Sequence, residues 1–197
     1  MLDKTTYEIL SSKWVGKVYQ KWKKLKKRLP MIERNLDFFR GTKVLELGAN
    51  AGIYAFVLYH YVESYTGIEC DKHYYDQSLH TLKGKKRVTL IRDTFENVDI
   101  ESLDFNLFLA SYVLHHLNKK EVYKLGRVFD ICSKVAISTR SGDPLKYGHD
   151  ELGFDPLPKW ENSRIKKMLD ERGYKSELSL KSKIDYNGIY FILAEKE

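Results

Sequence analysis

The stretch Lys43 to Gly52 reads KVLELGANAG and runs straight into the apolar segment Ile53 to Leu58. Five residues of strand character end in a Gly-x-Asn-x-Gly turn and then a helix. The backbone N–H groups at the helix start therefore face whatever lies above the turn. Gly48 and Gly52 let the main chain approach a ligand with no side chain in the way, and Asn50 is one of the few other residues that tolerates positive φ. Glu46 stands two residues before the first glycine. A carboxylate there repels a pyrophosphate and attracts a cation. The spacing also departs from the dinucleotide fingerprint Gly-x-Gly-x-x-Gly, so the turn points to a positively charged nucleotide cofactor.

With 197 residues, 43% of them apolar and 31% charged, the chain has the length and composition of one soluble domain with a single core. Its longest apolar stretch, Leu107 to Leu114, is interrupted by Ser111. It falls far short of the roughly 20 residues that span a bilayer. The N-terminus carries no hydrophobic signal core, and a cytoplasmic location is expected. Cys70 and Cys132 show neither metal-ligand nor disulfide spacing, so both are read as plain buried thiols and no metal is expected. The net charge of +7 is concentrated in one segment, where Lys13, Lys17, Lys21, Lys23, Lys24, Lys26, Lys27 and Arg28 occur with no acid among them. The rest of the chain is close to neutral.

That segment has helical periodicity, with Leu10, Trp14, Val18, Trp22, Leu25 and Leu29 on one side until Pro30. It admits three readings: a solvated lysine face, a contact with RNA or another polyanion through Lys13–Arg28, or a membrane-surface contact. A second short helix is expected over 31–39. Residues 1–40 are read as a basic helical lid and 41–197 as one sheet domain. Beyond Gly52 the pattern predicts helices over 52–61, 71–82, 119–131 and 159–172. Strands are predicted over 64–69, 87–91, 104–110, 133–138, 174–180 and 189–194. Such alternation implies a parallel sheet covered by helices on both faces. The last two strands are joined through Asn187-Gly188 and should pair antiparallel. The loop from Thr139 to Pro158, with Arg140, Tyr147 and His149 as its polar candidates, leaves a strand's carboxyl end, where open α/β sheets bind ligands.

Two acidic residues follow strands at telling positions. Glu69 lies 23 residues after Glu46, where a carboxylate can accept both hydroxyls of a ribose; Asp71 suits a helix cap better. The third strand ends in Ile91-Arg-Asp-Thr-Phe95 and the fourth in FNLFLASYVLHHL.

The motif Glu46-x-Gly48-x-Asn50-x-Gly52 resembles the first motif of class I S-adenosylmethionine (SAM)-dependent methyltransferases, with Asn50 in place of that family's usual middle glycine. The Leu-His-His-Leu turn is similar to one found among its smaller members. The resemblance covers residues 41–139 motif by motif and 159–194 by element order. It implies a doubly wound α/β fold: a seven-stranded, mostly parallel sheet with an antiparallel last strand. It implies SAM as cofactor and S-adenosylhomocysteine as product. Glu46, Gly48, Asn50 and Gly52 would surround the methionine end, Glu69 the ribose, Asp93 the adenine amine and Thr94 the ring. Ser111 would border the cofactor, and Tyr112, His115 and His116 are the candidates on the acceptor side.

Methyl transfer from a sulfonium is an in-line displacement, in which alignment supplies roughly 7–11 kcal/mol. A general base adds about 10²–10⁴-fold and is needed only if the nucleophile loses its proton early. The fourth strand lacks the Pro-Pro-aromatic device of enzymes that methylate exocyclic base amines, and neither cysteine follows a proline. The expected activity is transfer to an oxygen or nitrogen acceptor, with RNA placed ahead of a small metabolite. Two rivals are a SAM-binding protein without turnover and an NAD-dependent oxidoreductase.

Overall fold

The computed structural model describes residue 32 and residues 34–140, 162–179 and 189–196. Its strands are β1 (Lys43–Leu47), β2 (Ser64–Ile68), β3 (Val88–Ile91), β4 (Leu107–Ser111), β5 (Lys134–Arg140), β6 (Tyr174–Ser179) and β7 (Ile189–Lys196). The helices are α1 (Leu36–Phe39), α2 (Ile53–Leu58), α3 (Lys72–Thr81), α4 (Lys119–Ile131) and α5 (Asn162–Asp170). The strands form one sheet in the order β3-β2-β1-β4-β5-β7-β6. β1 to β5 run parallel, and β7 lies antiparallel between β5 and β6. This is the expected fold class, including the reversed last strand. The Asn187-Gly188 turn and the basic segment 13–28 lie outside the described residues.

Strand alternation sorts the side chains into two cores. Val44, Tyr65, Leu107, Leu109 and Ala136 pack on one face against Ile32, Leu36, Phe39 and the apolar side of α2. Leu45, Leu47, Ile68, Phe108, Ala110 and Val135 pack on the other against Leu125, Val128 and Phe129 of α4 and Ile165 and Leu169 of α5. β4 is buried on both sides at Leu107 through Ala110. A continuous apolar run is what a central parallel strand requires.

Some boundaries differ from those expected. β4 starts at Leu107 rather than 104, because Asn106 closes the strand entrance. Its N–H donates to the Lys43 carbonyl (3.0 Å), and its side-chain oxygen accepts from the Lys43 N–H (2.9 Å). Within the helix expected over 31–39, the segment Leu36–Phe39 is helical and follows a break at Asn35 (φ −122°, ψ 25°). α4 begins where expected, at a capping box. Asn118 accepts from the Lys120 and Glu121 N–H groups, and Glu121 accepts from the Asn118 N–H. Cys132 is buried as expected, with its thiol 3.3 Å from the Tyr174 hydroxyl. Cys70 is exposed instead. It lies past the end of β2, where Glu69 turns inward and its neighbour turns out. Among the described residues no helix is long and apolar enough to cross a membrane.

Candidate functional site

The sheet winds one way from β1 to β3 and the other way from β4 onward, so its switch point falls between β1 and β4. Ligands of open α/β sheets bind at the carboxyl ends of the strands beside that point. Four connections meet there: the glycine turn after β1, Glu69 after β2, Asp93 after β3 and Ser111-Tyr112 at the end of β4.

The turn is a left-handed run. Gly48 (φ 73°), Asn50 (φ 50°) and Gly52 (φ 75°) all have positive φ, as the residue types foretell. The N–H groups of Gly48 and Ala49 both donate to the Ile68 carbonyl at 2.9 Å, tying the turn to the end of β2. The glycines serve packing as well as ligand approach. A Cβ on Gly48 would lie 2.9 Å from Val113 Cγ2, and one on Gly52 would lie 2.7 Å from Leu82 Cδ1. Gly67, which carries no motif, is equally constrained: a Cβ there would lie 2.8 Å from that of Ala49. Its bareness lets the turn rest on β2.

Glu69 is only 7% exposed. One carboxylate oxygen accepts from the Asn50 N–H (2.7 Å) and the other from the Asp71 N–H (2.9 Å). Charge-assisted bonds of this kind contribute about 1.5–3 kcal/mol each. Asp71 is the N-cap of α3, accepting from the His73 and Tyr74 N–H groups. The two acids thus divide the roles of turn clasp and helix cap.

Glu46 is 1% exposed and faces the apolar core shared by Val44 and Tyr65. Its carboxyl oxygen accepts from the Tyr65 hydroxyl at 2.8 Å. Burial pushes its pKa up to about 8; the Tyr65 bond opposes the shift and the nearby Glu69 charge adds to it. Such a group is close to neutral until a cation approaches.

Asp93 and Thr94 are exposed. Asp93 accepts from the Thr94 N–H (2.7 Å) and from the Asn97 side chain (2.9 Å), through one oxygen. They share the carboxyl edge with Glu69 but make no hydrogen bond to it among the described residues.

On the β4 side, Ser111 joins a chain of hydroxyls: its Oγ lies 3.0 Å from the Tyr54 hydroxyl and 2.8 Å from the Ser138 Oγ. Ser111 and Ser138 are register partners across β4 and β5. Tyr112 has φ 58° and donates its N–H to the Ser138 carbonyl. A bulky residue held there costs about 1–3 kcal/mol and marks ligand-handling segments. His115 and His116 lie in the 3-10 turn Leu114–His116, where His116 is exposed. Arg140 ends β5; Tyr147 and His149 lie outside the described residues.

Sequence reading passed over Tyr54, Tyr65, Ser138 and Gly67. A polar residue closing the apolar run of β5 was the one available signal for Ser138. Nothing in the sequence pairs Tyr65 with Glu46. The donor set suits a nucleoside bearing a positive charge: two buried carboxylates at the ends of adjacent strands beside a left-handed glycine turn.

Residues 45–135 match the family described as the methyltransferase domain. No curated relative matches the chain in sequence. Among solved structures, the methyltransferase domain of a bacterial CtHen1 superposes with a TM-score of 0.63 at 15% identity, covering 89% of this chain and 98% of that one. YcgJ from Bacillus subtilis gives 0.64 at 15% identity, covering 86% and 97%. Magnesium protoporphyrin IX methyltransferase from Synechocystis PCC 6803, crystallised with SAM, gives 0.61 at 11% identity, covering 85% and 79%. At these identities the likeness is one of fold, and it extends well beyond the segment the family match covers. The methyltransferase-domain match over residues 45–135, the strand order with its reversed β7 and the acidic glycine turn converge on one fold, that of the class I SAM-dependent methyltransferases.

Proposed function

We propose that the chain transfers a methyl group from SAM to an oxygen or nitrogen of RNA. The observation that carries the cofactor assignment is the Glu69 carboxylate, fixed on the amides of Asn50 and Asp71 at the end of β2. Its remaining lone pairs suit the two ribose hydroxyls. Glu46 and the backbone from Gly48 to Gly52 would hold the methionine end, and Asp93, beside Thr94, would accept from the adenine amine. Ser111 would border the cofactor. When bound, SAM supplies a methyl carbon activated by the sulfonium. That chemistry would be a displacement in which the acceptor lone pair takes the methyl carbon, the carbon–sulfur pair stays with sulfur and the acceptor gives up its proton. The chain's own part is alignment. Tyr112, His115 and His116 border the acceptor, and either histidine can take the proton where the acceptor must lose it early.

RNA is favoured as acceptor by the eight basic residues of Lys13–Arg28. A small-molecule acceptor is the second reading, supported by the fold shared with the protoporphyrin enzyme. The lid proposed over the carboxyl edge, residues 1–40 and the 139–158 loop, falls mostly outside the described residues, and its described members Ile32, Leu36 and Phe39 pack in the core instead. The test is incubation with SAM and either cell RNA or a metabolite extract, reading S-adenosylhomocysteine and new methylated nucleosides by mass spectrometry. Product with RNA is expected. Product with metabolites alone would transfer the assignment to the second reading, and product with neither would remove both.

A further inference from the structure

The turn between α3 and β3 reads Lys83-Gly-Lys-Lys-Arg87 and lies at the amino edge of the sheet, opposite the cofactor site. Elsewhere many of the described surface cations have a carboxylate partner. Lys43 pairs with Asp104, Lys120 with Glu96, Arg127 with Glu101, Lys134 with Glu195, Lys166 with Asp170 and Arg172 with Asp130. Among the described residues, no carboxylate lies within ion-pair distance of Lys83, Lys85, Lys86 or Arg87. Four cations within five residues, uncompensated, repel one another and cost stability unless an anion joins them.

Two of them are also held in place. The Lys85 ammonium lies 4.3 Å from the Tyr59 ring centroid and 4.9 Å from that of Phe56. The Arg87 guanidinium lies 4.8 Å from Tyr59 and donates to the carbonyls of Tyr59 and Val62. Lys83 and Lys86 project into solvent on either side. His60, exposed, packs edge-on against Tyr59 at 5.2 Å. Fixed cations interleaved with aromatic rings suit a phosphate backbone carrying bases. A membrane surface would require an apolar face to bury, and the turn offers none.

We propose that this edge, formed by Lys83, Lys85, Lys86 and Arg87 around Tyr59, is a contact surface for the backbone of single-stranded RNA, remote from the site of methyl transfer. It rests on the reading of RNA as acceptor only for its purpose, which is to hold a long substrate at a second point. The contact itself requires only single-stranded nucleic acid.

The experiment measures binding of a short labelled single-stranded RNA by anisotropy between 50 and 200 mM salt. It compares the wild type, the variant Lys83→Gln/Lys85→Gln/Lys86→Gln, and the milder Lys83→Gln/Lys86→Gln, which touches neither ring. SAM binding by calorimetry reports that each variant is folded. Removing one phosphate contact lowers the log–log salt slope by about 0.7, so the triple variant should be shallower by about 2 and the double by about 1.4. Unchanged slopes in both variants would overturn the surface. So would a wild type that does not bind RNA, or one that binds anionic vesicles in its place with the same dependence on these lysines. Unchanged slopes with RNA still methylated would sink this surface and leave the acceptor assignment standing. Altered slopes with no methylated RNA would do the reverse.

Discussion

Glu69 clasps the turn through the carboxylate that is proposed to take the ribose, so its replacement affects both at once. Glu69→Ala deletes the acceptor for the Asn50 and Asp71 N–H groups and the proposed ribose contacts. Loss of one or two charge-assisted bonds, about 1.5–3 kcal/mol each, should weaken SAM binding at least tenfold; unchanged affinity in calorimetry would remove the assignment. Glu46 yields a pH prediction. Its folded pKa of about 8 lies above the ordinary value of 4.5, so between those values the folded state holds a proton that the unfolded state has released. Stability of the cofactor-free protein should therefore be full near pH 4.5 on this account and fall as pH rises towards 8. In Glu46→Gln that part of the pH dependence of Tm should vanish. A cation seated above Glu46 favours its ionised form, so SAM binding below pH 8 should release a proton, seen as a dependence of calorimetric enthalpy on the buffer.

At the scale of elements, the glycine turn is held by what it packs against. Gly52 and Gly41 both have positive φ (75° and 68°), but a Cβ at Gly41 meets nothing within 4 Å while one at Gly52 meets Leu82 and Ser78. Gly41→Ala should cost about 1–2 kcal/mol for the left-handed backbone alone. Gly52→Ala should cost about 1–3 kcal/mol more, because it pushes α3 away from the turn. Urea melts of the two variants measure the difference, and equal losses would mean that α3 yields freely. The capping box of α4 gives a smaller expectation: Asn118→Ala should destabilise by about 1 kcal/mol without altering SAM affinity.

For the whole molecule, the prediction concerns the division of labour between the N-terminal segment and the sheet. Ile32, Leu36 and Phe39 are buried in the core beside α2, so a truncation that spares them keeps that core intact. Deleting residues 1–28 should leave SAM binding within a few-fold of wild type and abolish methyl transfer. Loss of SAM binding together with unfolding would instead make the basic segment part of the core.

The order of strands and helices was legible because each element announces itself locally: a short apolar run for a strand such as β4, Asn118 before α4, a glycine turn after β1. The reversed last strand was legible from the shortness of its connection. Glu46, Gly48, Asn50, Gly52 and Glu69 stood out because a turn with positive φ restricts residue type, and because the end of β2 must come beside the end of β1 in a parallel sheet. Tertiary structure alone decided the rest. That Glu46 is clasped by Tyr65, that Gly67 makes room for Ala49, and that Tyr54, Ser111 and Ser138 share one hydrogen-bonded chain are facts about strands and helices far apart in sequence. So is the ring of Tyr59 beneath Lys85 and Arg87, which brings the end of α2 against the turn before β3. Such contacts depend on register and packing distance, and no spacing within a single segment encodes them.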